Sequence, residues 1–268
     1  MPPSIERRLA SLSWTAVREQ AARPRSTVLW PLGAIEQHGP LLPLGTDALF
    51  AERVAAAVLE RLDPALPIWR LPLQSLGFSP EHLGFPGTLS LPADLVIALV
   101  RSVGRGIAAA GFQRLVLFNA HGGQIGLLEA AARELRVLEP ALAVLPCFLW
   151  RGADGLDELI PEPERSTGLH AGLAETSLML FLEPATVGAI PAADGPGADD
   201  PPPSGWSLEG ACPCSWRTEE LSASGVIGDP GGASEELGRK LFERLVGSWE
   251  RRLDALLRSD WPPTSGRA

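Results

Sequence analysis

A short stretch, residues 33–47 with the sequence GAIEQHGPLLPLGTD, places two carboxylates and an imidazole among glycine, proline and leucine. Glu36 and His38 are two positions apart, and this spacing points both side chains to the same side of an extended segment. Asp47 can return to the same point across the Pro/Gly loop. The stretch contains no Lys or Arg, so its carboxylates are free to hold a metal ion.

All four histidines of the chain lie in segments that contain Gly or Pro: EQHGP, PEHLGFPG, NAHGG and GLHAG, around His38, His82, His121 and His170. Glycine brings the backbone close to a ligand and permits positive φ. A single histidine is more often structural than chemical. Four histidines in such segments at the ends of elements favour a ligand or metal site.

His170 and Glu175 are too far apart to share one face of a continuous helix. They converge if His170 precedes a helix and Glu175 lies in its first turns. The flanks of Glu175 are mostly apolar, and a buried carboxylate needs a cation. Taken singly, Glu36 is typical of a solvated loop, Asp47 of a first helical turn and Glu175 of a helix surface.

Taken together, these side chains indicate a metal site. Carboxylates and imidazoles without a thiolate suit Zn²⁺, Mn²⁺ or Fe²⁺, and a carboxylate able to bridge two ions suits a two-metal hydrolytic centre. The predicted ligands are Glu36, His38, Asp47, His121 and Glu175.

Alternating strands and helices are predicted to position these side chains. Helices are expected over 4–22, 47–62 with Thr46 as N-cap, 92–111, the second part of 114–139, within 168–182, and 233–259. Strands are expected over 26–32, 67–74, the start of 114–139, and 141–150. This alternation predicts an α/β fold of three layers, with a central, mainly parallel sheet flanked by helices. Ligands then bind beyond the carboxyl ends of the strands.

The chain is predicted to be one domain over 1–268. Residues 184–231 interrupt the alternation because they are rich in turn formers, and we interpret them as a long surface excursion. Trp206 and Trp216 within it could cover a substrate, although packing is the more ordinary role of a tryptophan.

Composition excludes several functions. The formal net charge is −9 and the 23 Lys and Arg are scattered, which argues against nucleic-acid and membrane-surface binding and favours a small-molecule partner. The N-terminus lacks an apolar signal region, and no uncharged apolar run is long enough to span a membrane. Three cysteines cannot form a disulfide framework, and Cys212-Pro-Cys214 lacks the spacing of a zinc site. These features predict a cytoplasmic protein.

Four motifs in this order, PLGAIEQHGPLLPLGTD, SPEHLGFPGTLSL, NAHGG and HAGLAETS, resemble those of the creatininase family of metal-dependent amidohydrolases. The resemblance covers about residues 26 to 182, with a weaker similarity over 225–238. It implies an α/β fold with a central parallel sheet, a centre of two divalent ions, Zn²⁺ with Mn²⁺ or Fe²⁺ as alternatives, and a homo-oligomer, often a hexamer.

The same resemblance implies roles for individual residues. Asp47 matches the bridging carboxylate and His170 the histidine of proton transfer, while the other four predicted ligands match ligand positions. Creatininase itself has a glutamate two residues after the histidine that His121 matches. This chain has Gly123 there, which argues against creatinine as the substrate. Gly122, Gly123 and Trp150 are expected to contact substrate, and His82 to line the pocket or a subunit contact.

The resemblance implies hydrolysis of an amide or cyclic amide, in which a metal-activated water attacks the carbonyl and His170 passes a proton to the leaving nitrogen. Alternatives within the family are a peptidase that acts on a modified precursor peptide, a deformylase and a ring-opening hydrolase. An alternative of another class is a non-catalytic metal-binding partner protein.

Overall fold

The structure, a computed structural model, describes residues 7–190 and 203–262 and contains a parallel four-stranded sheet. The strands are β1 (Thr27–Leu32), β2 (Ile68–Arg70), β3 (Arg114–Asn119) and β4 (Ala143–Phe148), in the order β2-β1-β3-β4. β1 and β3 form the centre of the sheet and all their residues are buried, as parallel strands covered on both faces require. The predicted α/β fold with a central parallel sheet is confirmed.

Eight α-helices are present in the described parts of the chain. Their bounds are α1 Trp14–Ala21, α2 Thr46–Arg61, α3 Ala93–Ala109, α4 Ile125–Leu138, α5 Glu164–Thr167, α6 Leu173–Leu182, α7 Thr218–Leu221 and α8 Glu235–Arg258. None of these helices is both long enough and apolar enough to cross a membrane.

The sheet separates two apolar cores. Because side chains alternate along a strand, Leu29 and Phe118 pack with α2, α6 and α8 on one face. Val28 and Leu117 pack with α3 and α4 on the other face. The helices thus cover both faces, and the carboxyl ends of β1 and β3 open at one edge of the sheet.

Three sequence predictions about these elements are wrong at their ends. The predicted helix over 4–22 is interrupted, because Ser13 accepts a hydrogen bond from the Ala16 amide and starts α1; residues 4–6 lie outside the described residues. The strand predicted over 67–74 ends at Arg70, because an extra residue breaks the regular ladder: the Leu71 and Gln74 amides donate to the Leu29 and Pro31 carbonyls, so three positions here pass two positions of β1. Thr46 is the first residue of α2 and Gly45 is the N-cap, since the Thr46 hydroxyl donates to the Pro43 carbonyl at 2.7 Å.

The predicted excursion contains some regular structure. A 3₁₀ turn at Pro184–Thr186 follows α6, and α7 lies within the later part of the segment. The Pro-rich part over 191–202 lies outside the described residues. The excursion reaches the ends of the strands, because the Thr218 hydroxyl lies 2.6 Å from His82 Nδ1.

Candidate metal centre

The segment after β1 contains the first three site residues. The chain leaves β1 at Leu32 and runs through Glu36 and His38 before α2 begins, which places Asp47 in the first turn of that helix. All three site residues are at most 2% exposed. The exposed amides of a helix start favour a carboxylate there.

His121 follows β3 in a turn that Asn119 fixes. The Asn119 side chain accepts a hydrogen bond from the His121 amide at 2.9 Å and donates one to the His121 carbonyl at 2.6 Å. Gln124 donates to the same Asn119 side chain at 2.8 Å. These hydrogen bonds fix the backbone at His121, whose side chain is buried.

His170 and Glu175 meet in the way their spacing predicted. His170 precedes α6, Gly172 is the N-cap, and Glu175 is the third residue of the helix. Ala171 has a φ of 55°, and its amide donates to Glu175 Oε2 at 2.7 Å. This left-handed residue turns the chain so that both side chains enter the same cavity.

Asp47 lies between two groups of ligand atoms. Its Oδ1 is 3.6 Å from His38 Nε2, and its Oδ2 is 3.2 Å from His121 Nδ1. Glu36 Oε1 is also 3.2 Å from His121 Nδ1, while Glu175 Oε2 is 4.0 Å from His38 Nε2. Three groups of side chains could hold an ion: Glu36, Asp47 and His121; His38, His170 and Glu175; and Glu36, His82 and His170.

Main-chain carbonyls orient three of the imidazoles. His38 Nδ1 donates to the Glu36 carbonyl at 3.1 Å, His121 Nε2 to the Phe78 carbonyl at 2.9 Å and His170 Nε2 to the Gln37 carbonyl at 2.6 Å. A nitrogen that donates to a carbonyl leaves the other nitrogen as an acceptor. The acceptor nitrogens face the carboxylates, and such an outer hydrogen bond is typical of metal-binding histidines.

The donor set fits divalent ions. Within the described parts of the chain, several buried polar atoms of this centre have no hydrogen-bond partner: Glu36 Oε1 and Oε2, His38 Nε2 and Asp47 Oδ2. Buried polar atoms without partners are costly and rare. A cation among these four atoms would remove that cost, and mixed carboxylate and imidazole ligands accept Zn²⁺, Mn²⁺ or Fe²⁺.

Without a cation, protons compensate the carboxylates. Burial lowers the pKa of His38, but Asp47 and the other carboxylates outweigh burial and raise this pKa to about 9. Burial likewise opposes a charge on His121, while Glu36 and Asp47 raise its pKa well above the usual value. Burial raises the pKa of Glu175 to about 7 against the effect of His38. A divalent ion would displace the two imidazolium protons, since metal ligands must be deprotonated.

His170 differs from these two histidines. Burial lowers its pKa well below the usual value, and nearby His38 and His82 lower it further. Its Nδ1 lies 3.9 Å from Glu36 Oε1, farther than His121 Nδ1 at 3.2 Å. A neutral imidazole at the edge of the centre can accept a proton there.

The predicted substrate residues line one cavity of about 230 Å³ over the centre: His82, Gly122, Gly123 and Trp150. Of the two tryptophans in the excursion, Trp216 also lines it, whereas Trp206 is 59% exposed. The His82 ring stacks on His170 with centroids 4.2 Å apart. His82 therefore lines the pocket within this chain.

Sequence reasoning missed four polar residues at the cavity. Glu81, Glu164 and Glu209 line it, and Gln37 donates to His82 Nδ1 at 2.9 Å. The Glu164 carboxylate accepts the amide hydrogens of Leu173 and Asp229, both at 2.7 Å. Glu81 and Gln37 stand beside predicted site histidines, which is a signal that could have found them. Glu164 carries no such signal, because its partners lie far away along the chain.

Comparisons with known proteins show which sequences and folds this chain is similar to. The family model described as creatinine amidohydrolase matches residues 10–253. The mycofactocin precursor peptide peptidase of Mycobacterium ulcerans is 34% identical over 92% of both chains. The creatinine amidohydrolase of Pseudomonas putida is 28% identical over 96% of this chain and 98% of its own. A crystal structure of creatininase superposes with a TM-score of 0.76 at 24% identity, covering 96% of this chain and all of the other.

The chain belongs to the creatininase family. It is a metal-dependent amidohydrolase of that family.

Proposed function

We propose that the chain hydrolyses an amide C–N bond at a centre of two divalent ions. The proposed ligands are those predicted from sequence: Glu36, His38, Asp47, His121 and Glu175. The observation that carries this proposal is that four of the buried atoms without hydrogen-bond partners in the described residues lie together on the predicted ligands Glu36, His38 and Asp47. Asp47 is the proposed bridge because its two oxygens face different histidines.

The side chains around the centre have different proposed roles in the hydrolysis. Bound divalent ions would polarise an amide carbonyl and make a water more acidic. His170 would accept a proton at Nδ1, which faces the centre, because its Nε2 donates to the Gln37 carbonyl. His170 would then return this proton to the leaving nitrogen. His82 Nε2 lies 3.3 Å from Glu36 Oε1, at the side of the centre.

Zn²⁺ is the proposed metal, with Mn²⁺ or Fe²⁺ as alternatives. The ligand set supports this choice because it contains both imidazoles and carboxylates and no thiolate. Solved creatininases are described as a manganese form and a zinc–zinc form.

A peptidase is the second candidate function. The relative named for a precursor peptide is 34% identical to this chain, whereas the creatinine amidohydrolase is 28% identical. Gly123 also departs from the glutamate of creatininase itself. We therefore propose a peptide amide as the first substrate class to test.

The proposed test is a metal and activity assay of the purified chain. After loading with Zn²⁺ or Mn²⁺ and dialysis, metal is counted per chain and hydrolysis is followed for peptides, linear amides and cyclic amides. We expect bound metal and hydrolysis of an amide, and a His170→Ala variant that keeps its metal while kcat falls about 10²- to 10⁴-fold. Wild-type protein without metal would contradict the proposal, and bound metal with uniform inactivity would favour a non-catalytic binding protein.

We also propose a cytoplasmic homo-oligomer, with a hexamer as the expected form. Three large apolar side chains in the part of the chain that follows His82 are exposed: Leu83, Leu89 and Leu95, at 59%, 56% and 49%. Apolar side chains grouped on a surface are typical of subunit contacts. The mass of the purified protein in solution tests this proposal.

A further inference from the structure

The cavity over the candidate metal centre is acidic. Six carboxylates line it, and within residues 7–190 and 203–262 no Lys or Arg does. Three of the six, Glu36, Asp47 and Glu175, belong to the proposed ligand set. The remaining three are Glu81, Glu164 and Glu209.

Two of these three carboxylates already have partners. Glu164 accepts two backbone amide hydrogens at 2.7 Å. Glu209 lies at the rim, where its Oε2 is 3.6 Å from Arg151 and its side chain is 42% exposed. Arg151 also lies over the Phe148 ring at 5.9 Å. The third, Glu81, faces no Lys or Arg of the cavity lining among the described residues, and its nearest basic groups are His121 Nε2 at 3.5 Å and His82 Nε2 at 4.0 Å.

Glu81 occupies the space above Gly123. A Cβ at residue 123 would overlap Glu81 Oε1 and would lie 2.7 Å from His121 Nε2. The Glu81 side chain is 14% exposed and its Oε1 is 3.5 Å from His121 Nε2. That nitrogen already donates to the Phe78 carbonyl at 2.9 Å. The imidazole therefore does not satisfy the carboxylate.

Glu81 stands outside the metal-binding groups. Each such group in the described residues has ligand atoms within 4.8 Å of one another, and none includes Glu81. A buried carboxylate of this kind gains most from a cation that arrives with a ligand.

The rest of the wall is apolar and aromatic. Phe148, Trp150, Leu156, Ile160 and Trp216 line the cavity. Aromatic faces attract cations and also pack against apolar groups. The cavity thus places the Glu81 carboxylate beside an apolar and aromatic surface.

We propose that the substrate carries a positive charge beside its apolar part and that Glu81 binds this charge. The inference rests on the proposed amide hydrolysis, because it places the charge in the cavity where the scissile bond would lie. In this proposal Glu81 determines substrate specificity, and the proposed metal ligands support hydrolysis. A substrate with a free carboxylate at this position is disfavoured by like-charge repulsion.

Three small aromatic probes of similar size test the inference by binding. Benzyltrimethylammonium carries a charge and cannot coordinate a metal, phenylacetamide is neutral, and phenylacetate is an anion. Dissociation constants are measured by calorimetry on the zinc-loaded chain and on a zinc-loaded Glu81→Gln variant. We expect the cation to bind about tenfold more tightly than the amide, because a partly buried ion pair with Glu81 and contact with the aromatic wall favour it. In Glu81→Gln this preference is lost, while zinc content and phenylacetamide binding are unchanged.

Glu60→Gln is the matched control, because Glu60 is exposed on α2; it should keep the preference. Equal binding of the cation and the amide, no binding of either, or a preference that survives in Glu81→Gln would each overturn the inference. Loss of zinc in Glu81→Gln would also overturn it, since Glu81 would then belong to the metal centre. If Glu81→Gln does not fold, the ranking on wild-type protein decides.

The two proposals can fail separately. A chain that binds zinc and hydrolyses amides without preferring the cation contradicts only the inference about Glu81. A chain that prefers the cation but neither binds zinc nor hydrolyses amides contradicts only the proposed function.

Discussion

Asp47 presents its two carboxylate oxygens to histidines from different parts of the chain. His38 belongs to the loop after β1, and His121 belongs to the turn after β3. Burial opposes the charge of Asp47, but His121 and His38 outweigh burial and lower its pKa. A carboxylate that remains ionised between two imidazoles is suited to join two ions.

We therefore expect Asp47→Asn to weaken both metal sites at once. An amide has one oxygen in place of two, so it cannot bridge, and metal affinity should fall at least about tenfold, the lower bound seen when groups around metal ligands change. Metal content after dialysis against a chelator measures the effect. Glu60→Gln on the same helix serves as the control and should keep full occupancy. If Asp47→Asn retained both ions, Asp47 would not be the bridge.

Local patterns predicted the candidate ligands but not the residues around them. Glu36, His38 and His121 could be predicted because each follows a recognisable strand and stands beside Gly or Pro. The contact between Thr218 and His82 joins residues 136 positions apart, and the contacts of Glu164 likewise depend on tertiary folding. No local spacing encodes such contacts, because they form only when the loops pack.

At the scale of elements, α3 and α4 pack closely where α3 lacks a side chain. Gly104 is buried on α3, and a Cβ there would overlap Leu135 Cδ2 of α4. Gly106 is exposed on the same helix, and nothing lies within 4 Å of the position of its Cβ. The two glycines therefore share one helix and differ in their surroundings.

Opposite effects are expected for alanine at these two positions. Gly104→Ala should lower the free energy of unfolding by about 1–3 kcal/mol, because the added methyl overpacks the contact with Leu135. Gly106→Ala should raise it by up to about 1 kcal/mol through helix propensity. Urea denaturation of both variants measures these changes. A Gly104→Ala variant as stable as Gly106→Ala would show that the helices can separate without cost.

The element boundaries show what sequence patterns leave out. Periodicity predicted α2, α3, α4 and α8 to within a few residues, because each has an extended apolar face. It missed the short helix α5, whose four residues are too few for a period. It also overestimated β2, which ends at Arg70 because the pairing with β1 loses its regular register there.

At the scale of the whole molecule, one sheet connects both cores. Trp30 and Trp69 belong to the core beside α3 and α4, and Trp249 belongs to the core beside α2 and α8. Each face of β1 and β3 contributes to a different core. Loss of the sheet would therefore expose both.

We expect the metal-loaded protein to unfold in one transition, as a single domain over 1–268 would. Tryptophan fluorescence, which reports on both cores, and far-ultraviolet circular dichroism should give coincident urea curves, as two-state unfolding requires. Two separated transitions would indicate two domains.

The hydrogen bonds of the four histidines have a consequence for mutational tolerance. Three rings are held by carbonyls of Glu36, Phe78 and Gln37, so their tautomers depend on the course of the main chain and survive many changes of neighbouring side chains. His82 is held by the side chains of Gln37 and Thr218. Substitutions at Gln37 or Thr218 can therefore change the position of His82 in the pocket. The same substitutions leave the carbonyl contacts of the other three histidines in place, so the pocket can change its substrate while the proposed metal ligands keep their orientation.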